Sequence, residues 1–538
     1  MSANLKEKIK KTSNTKKRCI SGCKLLDRDI CSRSTRCTFV DGSTRKYCRL
    51  SSAFKMRKQD CKVTKRIKKK EARRKIGDFI LNKGEKTRVI RNVEKNASNK
   101  IFKFIKKVGD KRISEELKSI CSDSGVCIAF GNNREKINKF FDGFTDFDYV
   151  EPPINRLGKP SNNGFVREIK YKKNDYFAYA VLKSSARSNS DNLVYEYIVG
   201  EFINQQCKFY PCFLETYGFY FYKNQEKWKH MKDTKMINSN VLKDSLDLQT
   251  SVNYEKSCKK SKYAALLIQH LKDAHTIGDM VNKSSVNSST FISEQLLYIL
   301  YQIYMPLAQL RNNFTQYDLH DGNVLIYEPI KGKHITYHYH IGYGKIVTFN
   351  SPYIAKIIDY GRSFFKYKGQ NNKNKDNSPD IYKKLCNEPK CISKGDDCGV
   401  NQGFGWFDGP LSNKNYFISC QVPNMSHDLR LLFDINDQVK DNNLSHNPIV
   451  KELEDLLDSI KFGQGIKGDD KSFGTNVNKK MGFPGSINNV VDAERGLREI
   501  IMNNENAILY NENRYRPEDK IGNIHVYVDD TPMRFEPV

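Results

Sequence analysis

"QYDLHDGNVLI" (residues 316–326) sets an aspartate, Asp318, five residues ahead of an asparagine, Asn323, in a loop that runs into an apolar stretch. A second stretch, "AKIIDYGRSFF" (355–365), places Asp359 behind a short apolar run and ahead of Gly361. Alone, either segment reads as a capped turn, because Asp and Asn side chains bond to their own backbone. Together they offer a carboxylate and an amide from separate elements. That combination suits Mg2+, which takes oxygen ligands and keeps several waters. Asp318 shares its loop with Asn323 and can face an acceptor hydroxyl. Upstream, "AYAVLKS" ends an apolar strand at Lys183, and the helical pattern that follows carries Glu196. A lysine on a strand needs a carboxylate to fix its reach toward phosphates. Glu196 is the better placed partner and Glu201 the rival. Phosphoryl transfer asks for little else: metal on the phosphates, a cation beside them, and a carboxylate on the acceptor.

The rest of the chain bounds this reading. Its 538 residues exceed one ordinary domain, and 38% hydrophobic with 11% aromatic content supports a sizeable core. The net charge is +29, but residues 1–120 hold +26 of it, with 38 Lys and Arg against 12 Asp and Glu. The remainder carries only +3, so the basicity belongs to the N-terminal region. No apolar run has transmembrane length, and "MSANLKEKIKKTSNTKKR" lacks the apolar segment of a secretory signal. Synthesis in the cytosol is expected. Six cysteines come early: Cys19, Cys23, Cys31, Cys37, Cys48 and Cys61. So small a segment needs cross-links or a metal, and disulfides, a zinc site and free thiols all stay open. "KVTKRIKKKEARRK" (62–75) is a strongly basic run, with Glu71 its one acidic residue. It reads as a solvated helix or linker, or as a polyanion contact; it lacks the aromatics that would stack bases.

The patterning predicts three regions: a cysteine-rich basic module over 1–61, a basic linker over 62–112, and a globular domain over 113–538. Within the last, "FVREIKY" and "YFAYAVLKS" read as a hairpin around "KKND". Residues 190–206 read as a helix capped by Ser190 or Asp191. "FLETYGFYFY" reads as a strand, 223–262 as a polar insertion, and "YAALLIQHL" (263–271) as a buried strand. "SEQLLYILYQIYMPLAQL" (293–310) reads as an apolar helix capped by Ser293. "NVLIYEP" and "SPYIAKIID" are strands flanking a long hairpin.

In this order the motifs resemble those of the protein-kinase-like superfamily. "YDLHDGN" resembles the catalytic loop in its "DLHxxN" form, and "IDYG" the metal-binding "DFG". "AVLK" resembles the nucleotide-lysine strand, and "LLIQHL" stands at the hinge, so Gln269 to Leu271 would meet adenine. "SHDLRLL" resembles the helix start whose aspartate, here Asp428, ties the catalytic loop from behind. The resemblance spans roughly 150–510. It implies an α+β fold of two lobes, over about 150–271 and 272–538. It further implies ATP and Mg2+, with Asp318 as base, Asn323 and Asp359 on the metal, Lys183 on the phosphates and Glu196 fixing Lys183. "CSDSGVCIAFG", "SNNGFV", "YDLHDGNVLIYEP" and "IGNIHVYVDDTPMRF" also resemble serine/threonine-protein kinases of mimivirus-like giant DNA viruses. That likeness implies a protein substrate and a place in host cytoplasm or virion.

There are departures. No G-x-G-x-x-G loop occurs; Gly158 and Gly164 remain, and Gly164 with neighbouring N–H groups is the expected phosphate contact. Gln316 and Tyr317 stand where His and Arg usually do, which argues against activation through a phosphorylated loop. His320 stands where kinases of Ser and Thr carry Lys. The "DLHxxN" form therefore keeps a small-molecule kinase in view, and a third reading is an inactive kinase fold serving as virion or scaffold protein. Nothing in the sequence speaks to oligomeric state. Cys121 and Cys127 read as buried thiols.

Overall fold

The computed structural model describes residues 37–41, 46–50, 131–145, 147–160, 164–185, 192–248, 263–366, 405–408, 415–418, 423–460 and 487–538. The chain separates into two compact units, Met1–Val108 and Gly109–Val538. In the first, strands Cys37–Asp41 and Lys46–Leu50 pair as an antiparallel hairpin. The other early cysteines, the 62–75 charge run, Cys121 and Cys127 lie outside the described residues, as do the proposed helix caps Ser190 and Asp191.

Residues 164–185 alternate between two faces, and a sheet follows from that alternation. Strand β1 (Val150–Leu157), β2 (Gly164–Lys173) and β3 (Tyr176–Ser185) run antiparallel. β2 and β3 turn through Asn174, whose φ of 54° is left-handed, as a tight hairpin requires. β5 (Ala264–Gln269) follows β3 in the sheet, and β4 (Thr216–Tyr222) lies beyond it. Phe165, Ile169, Tyr171, Ala180 and Leu182 share one buried face, packed with helix α1 (Gly131–Phe140) through Phe140. Lys183 falls on the opposite face by parity. That face meets helix α2 (Asn192–Gln206), which is apolar around most of its girth and therefore buried. Gly200 lets α2 sit against β4: a Cβ there would fall 2.2 Å from Thr216 Oγ1.

The polar stretch expected over 223–262 is built into the sheet across its described residues, 223–248. It contains helices α3 (Gln225–Asp233) and α4 (Ser239–Ser245), and strands Met236–Ile237 and Leu246–Asp247 that close both edges of a seven-stranded sheet. Trp228, Met231, Ile237, Leu242 and Leu246 go into the core while Met236 and Leu248 stay exposed, so a polar average hid an amphipathic pattern. Arg167, fully buried in β2, anchors it by donating to the carbonyls of Met231, Thr234 and Ile154.

The second half is built on α5 (Leu296–Leu310), nearly all of whose residues are buried. Ser293 does not cap it. It belongs to the preceding helix, Ser288–Glu294, where its hydroxyl donates to the Ser289 carbonyl, and the helix breaks at Gln295 instead. After the 316–323 loop, β6 (Val324–Tyr327) pairs with β9 (Ile354–Ile357). The long hairpin between them, β7 (His334–His340) and β8 (Ile346–Ser351), joins a second sheet. β7 pairs in parallel with β10 (Lys520–Tyr527), which pairs with β11 (Arg534–Pro537). Helices α6 (Arg430–Asp441), α7 (Pro448–Asp458), α8 (Val490–Asn503) and α9 (Glu505–Arg514) contribute to the same core as α5. No helix among the described residues is long and apolar enough to cross a membrane.

Candidate active site

Three elements converge on Lys183. Its Nζ lies 2.8 Å from Glu196 Oε2 on α2 and 3.1 Å from Asp359 Oδ1, just past β9. Glu196 is almost fully buried, whereas the Asp359 side chain is 44% exposed. Burial alone would lower the Lys183 pKa, but Asp359 and Glu196 together hold it above the ordinary lysine value. Lys183 in turn keeps the Asp359 carboxyl below its usual range against burial, with help from Arg362. Burial raises the Glu196 carboxyl and Lys183 opposes it. Glu201 points elsewhere and accepts from the Tyr197 hydroxyl at 2.8 Å.

The 316–323 loop is knitted to this centre. Asn323 Nδ2 donates to the Asp318 carbonyl at 2.9 Å, and the Asn323 carbonyl accepts from Ile358 N–H at 3.0 Å. Gln316, fully buried, stitches both carboxylate segments: its Nε2 donates to the carbonyls of Ile358 (3.0 Å) and Asp359 (2.9 Å), and its Oε1 accepts from Asp318 N–H (2.6 Å). Asp428, at the foot of α6, accepts from Gln316 N–H at 2.8 Å and Tyr317 N–H at 3.0 Å. Burial pushes the Asp428 carboxyl up to about 7 against those two bonds. Tyr317 and Asp359 both have φ of 61°, a conformation that non-glycine residues hold only when neighbours over-determine it. Here the Gln316 and Asp428 bonds do so. Tyr360 is buried beneath α2, and Tyr195 on α2 donates its hydroxyl to the Ser363 carbonyl.

Asp318 is flanked by two arginines that the sequence reading passed over. Arg430 Nη1 is 3.1 Å from its Oδ1, and Arg362 Nη1 is 3.4 Å from its Oδ2. Both follow a motif residue closely, Arg362 after Gly361 and Arg430 two past Asp428, and that proximity was the available signal. Gln316, standing where His is usual, gains from its amide, which bonds in both directions at once. His320 Nδ1 accepts from Gly322 N–H at 3.0 Å.

The remaining expected site residues lie along the sheet. Gly164 opens β2 opposite Ser185, with φ of 145°. Gln269 ends β5; its N–H donates to the Glu215 carbonyl, and its side-chain oxygen accepts from Glu215 N–H. Leu271, two residues on, is buried. As for metal, no cluster of three or more His, Cys, Asp or Glu is found among the described residues. The donor set at the cleft fits Mg2+ nonetheless. Asn323 Nδ2 donates to the Asp318 carbonyl, which leaves its side-chain oxygen as an acceptor. An ion held by phosphates and water needs only one or two such protein oxygens.

No protein-family model matches the chain, and no curated protein sequence does. Solved structures match over part of it. A Plasmodium kinase domain is 15% identical, covering 41% of this chain and 55% of its own, with a TM-score of 0.23. The kinase PK-1 of Cydia pomonella granulovirus is 14% identical, covering 43% of this chain and 60% of its own, with a TM-score of 0.22. The chain thus matches less than two thirds of the length of either. It is the side-chain geometry of the cleft, rather than these partial superpositions, that bears on chemistry.

Proposed function

We propose that the chain is an ATP- and Mg2+-dependent phosphotransferase with a two-lobed, protein-kinase-like build, acting on a Ser or Thr hydroxyl of a protein. The observation that carries this reading is Lys183 bridging Glu196 and Asp359 while Gln316 ties the Asp318–Asn323 loop to the same segment. In it, Lys183 holds the nucleotide phosphates at a position set by Glu196. Backbone N–H groups near Gly164 cover them, and the Gln269–Leu271 segment meets adenine. Asn323 and Asp359 hold Mg2+, which when bound neutralises phosphate charge. Asp318 receives the acceptor hydroxyl's proton. Viral origin, and work in host cytoplasm or virion, belong to the same proposal.

One observation favours a small-molecule acceptor instead. His320, in place of the lysine of Ser/Thr kinases, is turned back onto its own loop. Radiolabelled ATP offered with a protein mixture and with a metabolite panel separates the two. Thermal melting in millimolar Mg-ATP tests the shared premise. A ligand that binds only the folded state adds about 2.7 kcal/mol at a hundredfold excess over Kd. An unmoved melting temperature would leave only an idle scaffold.

A further inference from the structure

The cation that meets the transferring phosphoryl group on its acceptor side is missing from the expected place. Lys183 is committed to the sheet side by Glu196 and Asp359. The 316–323 loop contains no Lys or Arg. His320 is turned back onto its own loop: its Nδ1 lies 3.0 Å from Gly322 N and 3.5 Å from Asp321 Oδ1. Yet charge spreads over three phosphoryl oxygens during transfer and needs a fixed positive partner.

We propose that Arg362 is that partner, binding the γ-phosphoryl oxygens in cis. This rests on the phosphotransferase reading above. The two arginines at Asp318 are not equivalent. Arg430 opens α6 and is braced from behind, its Nε 3.4 Å from Asp434 Oδ2 one turn along, with a side chain 19% exposed. Arg362 sits on the short turn Tyr360–Arg362, three residues past Asp359, and is more exposed, at 31%. It touches Asp318 Oδ2 and its charge also reaches Asp359. The guanidinium therefore sits against the carboxylate of the acceptor side and within electrostatic reach of the carboxylate of the metal side. Its contact with Asp318 is long, at 3.4 Å, and both side chains are part-exposed, at 31% and 18%. A phosphoryl group offers guanidinium a planar, bidentate match. During transfer the acceptor oxygen bonds to the γ-phosphorus, and the bond from that phosphorus to the β,γ-bridging oxygen breaks. ADP leaves with the electron pair, and the hydroxyl proton passes to Asp318. Arg362 steadies the oxygens and exchanges no proton.

The test compares the affinities of Mg-ADP and of a non-hydrolysable Mg-ATP analogue for the full chain, by calorimetry. Arg362→Ala is expected to weaken the analogue about tenfold or more and leave ADP within about twofold, with an unchanged melting temperature in the absence of nucleotide. Arg362→Lys is expected to recover part of the loss. His320→Ala is expected to leave both affinities within about twofold. Equal weakening of both nucleotides by Arg362→Ala, or of neither, overturns the assignment. A wild-type chain that binds neither nucleotide overturns the phosphotransferase reading itself, and this one with it.

Discussion

Replacing Gln316 by leucine should damage stability and chemistry together. The side chain is fully buried and makes three hydrogen bonds, to Ile358, Asp359 and Asp318, each to a backbone group beside the cleft. A net hydrogen bond contributes about 1 kcal/mol, and a buried partner left unsatisfied costs about 1–3 kcal/mol. Water from the open side at Asp359 can reach some of the orphaned groups, which favours the low end. The expected loss is about 3 kcal/mol. The left-handed residues Tyr317 and Asp359 then lose part of what over-determines them, and each stores roughly 1–3 kcal/mol of strain. Relaxation of either should displace a carboxylate, and a displacement of about 1 Å can cost about a hundredfold in rate. Gln316→Glu should be worse than leucine, since a carboxylate would face two carbonyl oxygens. Gln316→His should fall between, because imidazole can still donate one bond. Urea unfolding followed by circular dichroism, with phosphate transfer assayed in parallel, measures both effects. A leucine variant within about 0.5 kcal/mol of wild type with undiminished transfer would refute the stitching role.

Arg167→Met should lose about 3 kcal/mol in the same unfolding assay, because it strands three carbonyls; Mg-ATP affinity should not change, since the arginine lies on the far face from Lys183. A double-mutant cycle of Lys183→Met and Glu196→Leu should show a coupling of about 2 kcal/mol, because either single change leaves the other group poorly matched in a buried site. His427 is fully buried, and burial, aided by Arg430 and Arg362, lowers its imidazole to about 3. A base depressed in the folded state stabilises above its unfolded value near 6.5, and that stability is lost as pH falls toward 3. His427→Phe should therefore gain on wild type by about 3 kcal/mol between about pH 7.5 and 4.5, read from urea midpoints. Asp428, raised to about 7, shifts stability oppositely in both proteins, so the difference isolates the histidine.

The alternation of 164–185 and the apolar run of 296–310 were legible because each states its period and burial directly. Residue type and order singled out Asp318, Asn323, Lys183, Glu196 and Asp359, and the fold brings Lys183, Glu196 and Asp359 into contact with the 316–323 loop tied beside them. Trp228 and Leu242 were not legible, since apolar side chains scattered among many lysines do not raise a window average. The parallel pairing of β7 with β10 joins residues 334–340 to 520–527, and no local pattern encodes so distant a register. Arg362 and Arg430 escaped because an arginine beside a motif is ordinarily a solvated charge, and only the fold turns both onto Asp318.

The central claim is that Lys183, Asn323 and Asp359 form one Mg-nucleotide site with Asp318 on its acceptor side. Calorimetric titration of ATP, with and without Mg2+, into wild type, Asp359→Asn and Asp318→Asn tests it most directly. Wild type should bind in a Mg2+-dependent manner, Asp359→Asn should lose about tenfold or more, and Asp318→Asn should keep near-wild-type affinity. Absence of binding by wild type, or equal losses in the two variants, would contradict it.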